Sequence, residues 1–97
     1  MPTYVMLMKL TDQGIRDVKS APGRVQQGIK AYEAVGGKLL AFYTVMGEYD
    51  YVAIGEAPSD EVALGFSLGL GAQGSVRTTT LKAFSPEQYA GVVSKLP

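Results

Sequence analysis

The stretch that decides the fold is Leu39–Glu56, LLAFYTVMGEYDYVAIGE. Its two halves, Leu39–Met46 and Tyr49–Glu56, are rich in aromatic, β-branched and other apolar residues, which is typical of strands. Between them, Gly47-Glu48 is a short turn signal. We therefore predict two antiparallel neighbouring strands joined by a hairpin at the centre of the chain.

On the N-terminal side of this hairpin the sequence predicts a strand and then helix. Thr3–Leu10 (TYVMLMKL) is almost continuously apolar, which indicates a strand covered on both faces. Thr11-Asp12 supplies a helix N-cap and an acidic first turn. We expect a short helix, a break near Ser20-Ala21, and a second helix that starts at Pro22 and ends at Gly36-Gly37.

On the C-terminal side the same order recurs. Pro58–Glu61 opens a helix that the glycines at 69, 71 and 74 are expected to end, and Ser75–Phe84 (SVRTTTLKAF) is the fourth strand. These glycines match G-x-G-x-x-G, but they follow a helix and precede a strand, which is the reverse of a dinucleotide site. Ser85–Gln88 is a capping box for a short terminal helix whose inward side we expect to carry Tyr89, Val92, Val93 and Leu96.

The order βαββαβ with a C-terminal helix predicts an α+β, ferredoxin-like fold: a four-stranded antiparallel sheet with two helices on one face. The length of 97 residues suits one domain spanning residues 1–97.

The composition excludes several classes of function. The chain has no Cys, His or Trp, so thiolate nucleophiles, His-dependent catalytic relays and Cys- or His-ligated metals are excluded, and we predict no metal and no cofactor. Nine Lys and Arg balance nine Asp and Glu, which argues against nucleic acid as a partner. We expect no membrane segment, no signal peptide and a cytoplasmic location.

The second sheet face is the most informative feature, because two helices cover only the first. If the aliphatic residues at alternate positions of the strands face the helices, the residues between them form an open face of Tyr, Met, Thr and Lys, which is amphipathic. Such a face can pack against a second copy and enclose a pocket for a small apolar or aromatic ligand. The predicted pocket residues are Tyr4, Met6, Tyr43, Tyr49, Tyr51, Thr78, Thr80 and Lys82.

Two carboxylates, Glu48 and Asp50, flank the predicted hairpin tip. They could act as acid and base or hold a cation, with Lys82 in reach. Turn chemistry with a surface ion pair is the favoured interpretation.

Met46–Tyr51 (MGEYDY), together with Gly36–Leu39 and Ala41–Tyr43 before it, resembles the GYD domain family of small bacterial and archaeal proteins. Tyr4–Arg16 and Gly74–Phe84 match as well, so the resemblance covers essentially the whole chain. It implies a ferredoxin-like fold assembled as a dimeric α/β barrel. It implies no catalytic residues, because the family has no established activity.

The leading functional hypothesis is a homo-oligomeric module, binding or regulatory, with a small-molecule pocket between packed sheets. The charged fraction of 19%, below the usual value of about 25%, supports assembly. The alternatives are a cofactor-independent oxygenase or isomerase that uses Tyr49, Tyr51 or Asp50 as acid or base, and a purely structural assembly subunit.

Overall fold

The computed structural model describes residues 1–97 and confirms the α+β, ferredoxin-like fold. In chain order the elements are β1 Thr3–Leu10, α1 Asp12–Arg16, a 3₁₀ turn Val18–Ser20, α2 Ala21–Ala34, β2 Lys38–Thr44, β3 Tyr51–Glu56, α3 Asp60–Gln73, β4 Val76–Ala83 and α4 Pro86–Val93.

The sheet has the order β2-β3-β1-β4, and all three pairings are antiparallel. The register between β2 and β3 shifts between Leu39 and Ala41, which marks a bulge in β2. The two strands of the predicted hairpin end and begin further from its turn than expected, since β2 ends at Thr44 and β3 begins at Tyr51. Tyr49 therefore lies in a connection of six residues and not in the third strand.

Side-chain caps begin α1, α3 and α4 where the sequence predicted helix starts, while α2 begins at Ala21 without one. The hydroxyl of Thr11 accepts from the Gly14 amide at 3.1 Å, and that of Ser59 from the Val62 amide at 3.2 Å. Ser85 and Gln88 form the predicted capping box. Of the three glycines expected to end α3, only Gly74 does so: its φ of +90° gives the left-handed conformation that suits glycine.

The predicted assignment of the sheet faces was wrong. The helices cover the Tyr and Met side chains of β1 and β3, which form the core with Tyr32 of α2. The aliphatic side chains of the same strands lie on the face that no helix covers, since they alternate with the core residues along each strand. Both alternations are apolar in these two strands, so hydropathy alone did not distinguish them.

Tyr32 attaches α2 to the sheet. Its hydroxyl donates to the carbonyl oxygen of Glu56, and its ring meets Phe66 of α3 edge to face, with the centroids 5.0 Å apart. Two glycines make room for this ring. A Cβ on Gly37 would lie 2.5 Å from the Tyr32 ring, and one on Gly55 would lie 2.8 Å from its hydroxyl oxygen.

The terminal helix α4 does not face inward as predicted. All residues from Phe84 to Pro97 are exposed, including Tyr89 (67%), Val92 (58%) and Leu96 (65%). The capping box was sufficient to locate the helix. The spacing of its apolar residues, however, does not determine whether they pack against the rest of this chain.

We predict that Gly37→Ala lowers the free energy of unfolding by about 1–3 kcal/mol, because the added methyl group overlaps a ring that is fixed on two sides. Urea denaturation measures the effect. Gly23→Ala is the matched control: Gly23 lies in α2 with no atom within 4 Å of an added Cβ, so this change should be neutral or stabilising. Equal stabilities of the two variants would contradict the role of Gly37.

Candidate binding surfaces

The structure divides the predicted pocket residues among four places instead of one pocket between sheets. Four of them line a groove between α3 and β4: Tyr4, Thr78, Thr80 and Lys82. Met6 and Tyr51 line a cavity between the sheet and the helices. Tyr43 lies on the uncovered sheet face and is 65% exposed, while Tyr49 precedes β3.

The groove holds a chain of polar contacts. The hydroxyl of Tyr4 donates to Asp60 at the start of α3, and the Lys82 ammonium donates to the other oxygen of the same carboxylate at 3.0 Å. Ser67 and Thr80 are joined by a hydroxyl–hydroxyl hydrogen bond of 2.9 Å. These contacts fasten α3 to β1 and β4.

This arrangement shifts two pKa values. Burial of Tyr4, and then its hydrogen bond to Asp60, raise the pKa of the phenol from 10.0 to about 12. Hydrogen bonds from Tyr4 and Lys82 lower the pKa of the Asp60 carboxyl. Both shifts favour a neutral phenol beside an ionised carboxylate, so the pair behaves as a structural contact at neutral pH.

The uncovered face, called the open face below, is aliphatic. Two rows of side chains cross all four strands in register: Ala41, Ile54, Val5 and Leu81 form one, and Tyr43, Val52, Leu7 and Thr79 form the other. Leu81 is 48% exposed. The second face is therefore largely apolar, whereas the sequence predicted an amphipathic face made of the alternate set of residues.

The two carboxylates before β3 have separate roles. Asp50 accepts from the Leu10 amide at 2.8 Å, and its own amide donates to the Met8 carbonyl at 2.9 Å. Glu48 is exposed and lies 3.6 Å from the Lys9 ammonium. Lys82 cannot reach either carboxylate, contrary to the prediction. It lies opposite Tyr4 in the sheet, whereas Asp50 is bound to Leu10, which is six residues and about 20 Å further along β1.

Sequence reasoning missed Asp60, which it treated only as an acidic residue at a helix start. The N-cap at Ser59 places Asp60 at the start of α3, but its contacts with Tyr4 and Lys82 join distant parts of the chain and have no local signal in the sequence. Arg24, for which the sequence favours a solvated charge over an anion site, is instead held by contacts within the chain. Its guanidinium contacts the Asp17 carboxylate at 3.2 Å and the Gly14 carbonyl at 3.3 Å.

Two further features bear on function. No group of three or more acidic side chains is arranged to hold a metal ion. None of the helices has the length and apolar character needed to cross a lipid bilayer.

Comparison with known proteins identifies the family and one relative. The GYD domain family matches residues 4–93. A protein of Thermus thermophilus, named glutamine synthetase and cystathionine beta-lyase binding protein, is 36% identical over 84 residues, which cover 86% of this chain and 88% of that protein. No solved structure gave a significant match.

We predict that Asp50→Ala lowers the free energy of unfolding by about 1–3 kcal/mol, because the Leu10 amide at the end of β1 loses its acceptor. Chemical denaturation measures this. Glu48→Ala removes only an exposed ion pair and should change stability by less than about 0.5 kcal/mol. If Glu48→Ala were as damaging as Asp50→Ala, the structural role given to Asp50 would be wrong.

We also predict an alkaline stability change that depends on Tyr4. Its folded-state pKa is raised to about 12, so its contribution is complete below pH 10 and is lost as the pH rises from 10 towards 12, where only the unfolded chain ionises it. The difference in unfolding free energy between wild type and Tyr4→Phe should therefore shrink over this range. In Asp60→Asn, which lacks the neighbouring negative charge, the folded-state pKa of Tyr4 is lower, so the decline should still begin near pH 10 but end at a lower pH and be smaller. A difference that stays constant would contradict the shift.

Proposed function

We propose that this chain, which belongs to the GYD domain family, is a homo-oligomeric regulatory module that binds another protein. The observation that carries the proposal is the open face, whose two largely apolar rows cross the whole sheet and are covered by no element of the chain.

The open face is unlike the solvent side of an ordinary antiparallel sheet, where polar residues alternate with the core residues. Val5 and Leu7 on β1 lie directly beside Ile54 and Val52 on β3, so the apolar side chains are contiguous at the centre of the sheet. Large contiguous apolar patches mark interaction sites. A second copy offers an identical twisted sheet, and two such sheets can pack face to face with interdigitating side chains.

The regulatory role draws on the relative from Thermus thermophilus, whose name describes binding to glutamine synthetase and cystathionine beta-lyase. We propose that this chain likewise binds an enzyme of amino-acid metabolism in the cytoplasm. Surfaces outside the open face could receive it: Leu64 and Leu68 on the outer side of α3 are 60% and 64% exposed. Regulation by a small molecule, predicted from the sequence, is part of this proposal.

The alternative of a cofactor-independent enzyme has less support. Asp50, its proposed acid or base, is occupied by the backbone of β1. Tyr49 lies next to Lys9, whose ammonium is 5.4 Å from the ring centroid, and Tyr51 points towards the helices. These three groups therefore do not converge on one pocket.

We predict that Leu81→Glu dissociates the oligomer, because it introduces a charge into one of the apolar rows of the proposed interface, beside Val5. Light scattering should give a multiple of 10.3 kDa for the wild type and the monomer mass for the variant. Leu64→Glu is the matched control, since it places the same charge at an exposed leucine on a different surface and should keep the wild-type mass. A monomeric wild type would overturn the oligomer.

The enzyme partner is tested separately by calorimetry with purified glutamine synthetase and cystathionine β-lyase from the same organism as this chain. Binding of either enzyme supports the proposal. Absence of binding to both would remove these partners without affecting the oligomer result.

A further inference from the structure

We infer that the cavity enclosed by the sheet, α2 and α3 is a binding site for a small, uncharged aromatic molecule. The inference goes beyond the proposed function, because the cavity lies within one chain and needs neither a second copy nor an enzyme.

The cavity is a real gap in the packing of the core. It has a volume of about 90 Å³, and no large side chain of the protein is fully buried. Protein interiors normally leave few voids larger than a water molecule, which takes up about 30 Å³ in the liquid. Fourteen of the eighteen lining residues are hydrophobic, and an apolar cavity of about 150 Å³ is known to bind benzene or xenon.

The lining suits an aromatic ring in particular. Four aromatic side chains contribute to it, and the rings of Phe42 and Tyr51 lie 5.5 Å apart at one wall. Met6 and Met8 line the cavity from β1. Aromatic rings pack favourably against other rings and against methionine sulfur, so these groups favour an aromatic occupant over a water cluster.

No charged group is free to receive an ionic ligand. Arg24 is the only charged residue in the lining, and its guanidinium already contacts Asp17 and the carbonyl of Gly14. The remaining polar lining consists of the side chains of Gln73 and Ser75 and the tyrosine hydroxyls. An uncharged ligand with at most one or two hydrogen-bonding groups therefore fits this site.

The ligand reaches the cavity between the helices. A groove on the outer surface between α2 and α3 shares Arg24, Gly28, Phe66, Leu70 and Gln73 with the cavity, so these residues form its mouth. Gly28 keeps the mouth open, because no atom lies within 4 Å of the position a Cβ would take. A larger side chain at this position has room to extend across the mouth.

The four methionines provide built-in reporters for a test with benzene, and with xenon as a smaller probe. In protein labelled with ¹³C at the methionine methyl groups, either probe should shift the signals of Met6 and Met8 in the cavity. The signals of Met1 and Met46, which are 62% and 99% exposed, should not move. Failure of both probes to shift Met6 and Met8, or equal shifts of all four signals, would overturn the inference.

Two variants with a control locate the site and its mouth. Ala53→Leu fills the cavity from β3 and should abolish the shifts. Gly28→Leu should slow the exchange of benzene between solvent and cavity by about tenfold or more, seen in the line shapes of the methionine signals, while Gly23→Leu, on the outer side of the same helix, should exchange like the wild type. Shifts retained in folded Ala53→Leu would overturn the site, and an unchanged exchange rate in Gly28→Leu would overturn the mouth.

The outcome is distinguishable from that of the proposed function. The methionine shifts report on the interior of one chain, whereas light scattering and calorimetry report on the open face and on the enzyme. Repeating the titration on Leu81→Glu tests this separation directly: shifts equal to those of the wild type support a site within a single chain, and their loss would contradict it.

Discussion

The position of the helical layer depends on the contact between Tyr32 and the sheet. The ring occupies space that Gly37 and Gly55 leave free, its hydroxyl is bound to the backbone of β3, and its edge meets Phe66. This one side chain therefore joins both long helices to each other and to the sheet. The helices meet at this aromatic contact, and the same two rings line the cavity between the helices and the sheet.

The elements of the fold could be predicted from local signals. Caps at Thr11, Ser59 and Ser85 and the left-handed Gly74 determine where helices begin and end, and all act within a few residues of sequence. The order of strands and helices then limits the topology to a few arrangements. The resemblance to the GYD domain family implies the same fold, and the match of that family to residues 4–93 confirms the resemblance.

The faces could not be predicted in the same way. Along β1 and β3 both alternating sets are apolar, and the choice between them depends on long-range packing against Tyr32, which hydropathy does not describe. The same limit applied to α4 and to Lys82, whose surroundings depend on tertiary placement. The two central strands consequently have two functions: Met6 and Tyr51 face the cavity, while Val5 and Val52 face outwards from the same strands.

The bulge in β2 has a consequence for how copies of the chain can meet. β2 and β4 are the edges of the sheet, and an edge strand offers unpaired backbone groups that can add further strands without limit. The bulge at Leu39–Ala41 distorts one edge, and Arg77 and Lys82 place positive charge along the other. Both features disfavour growth of the sheet into fibres. In the proposed oligomer the copies would therefore meet through the open face and not through the sheet edges.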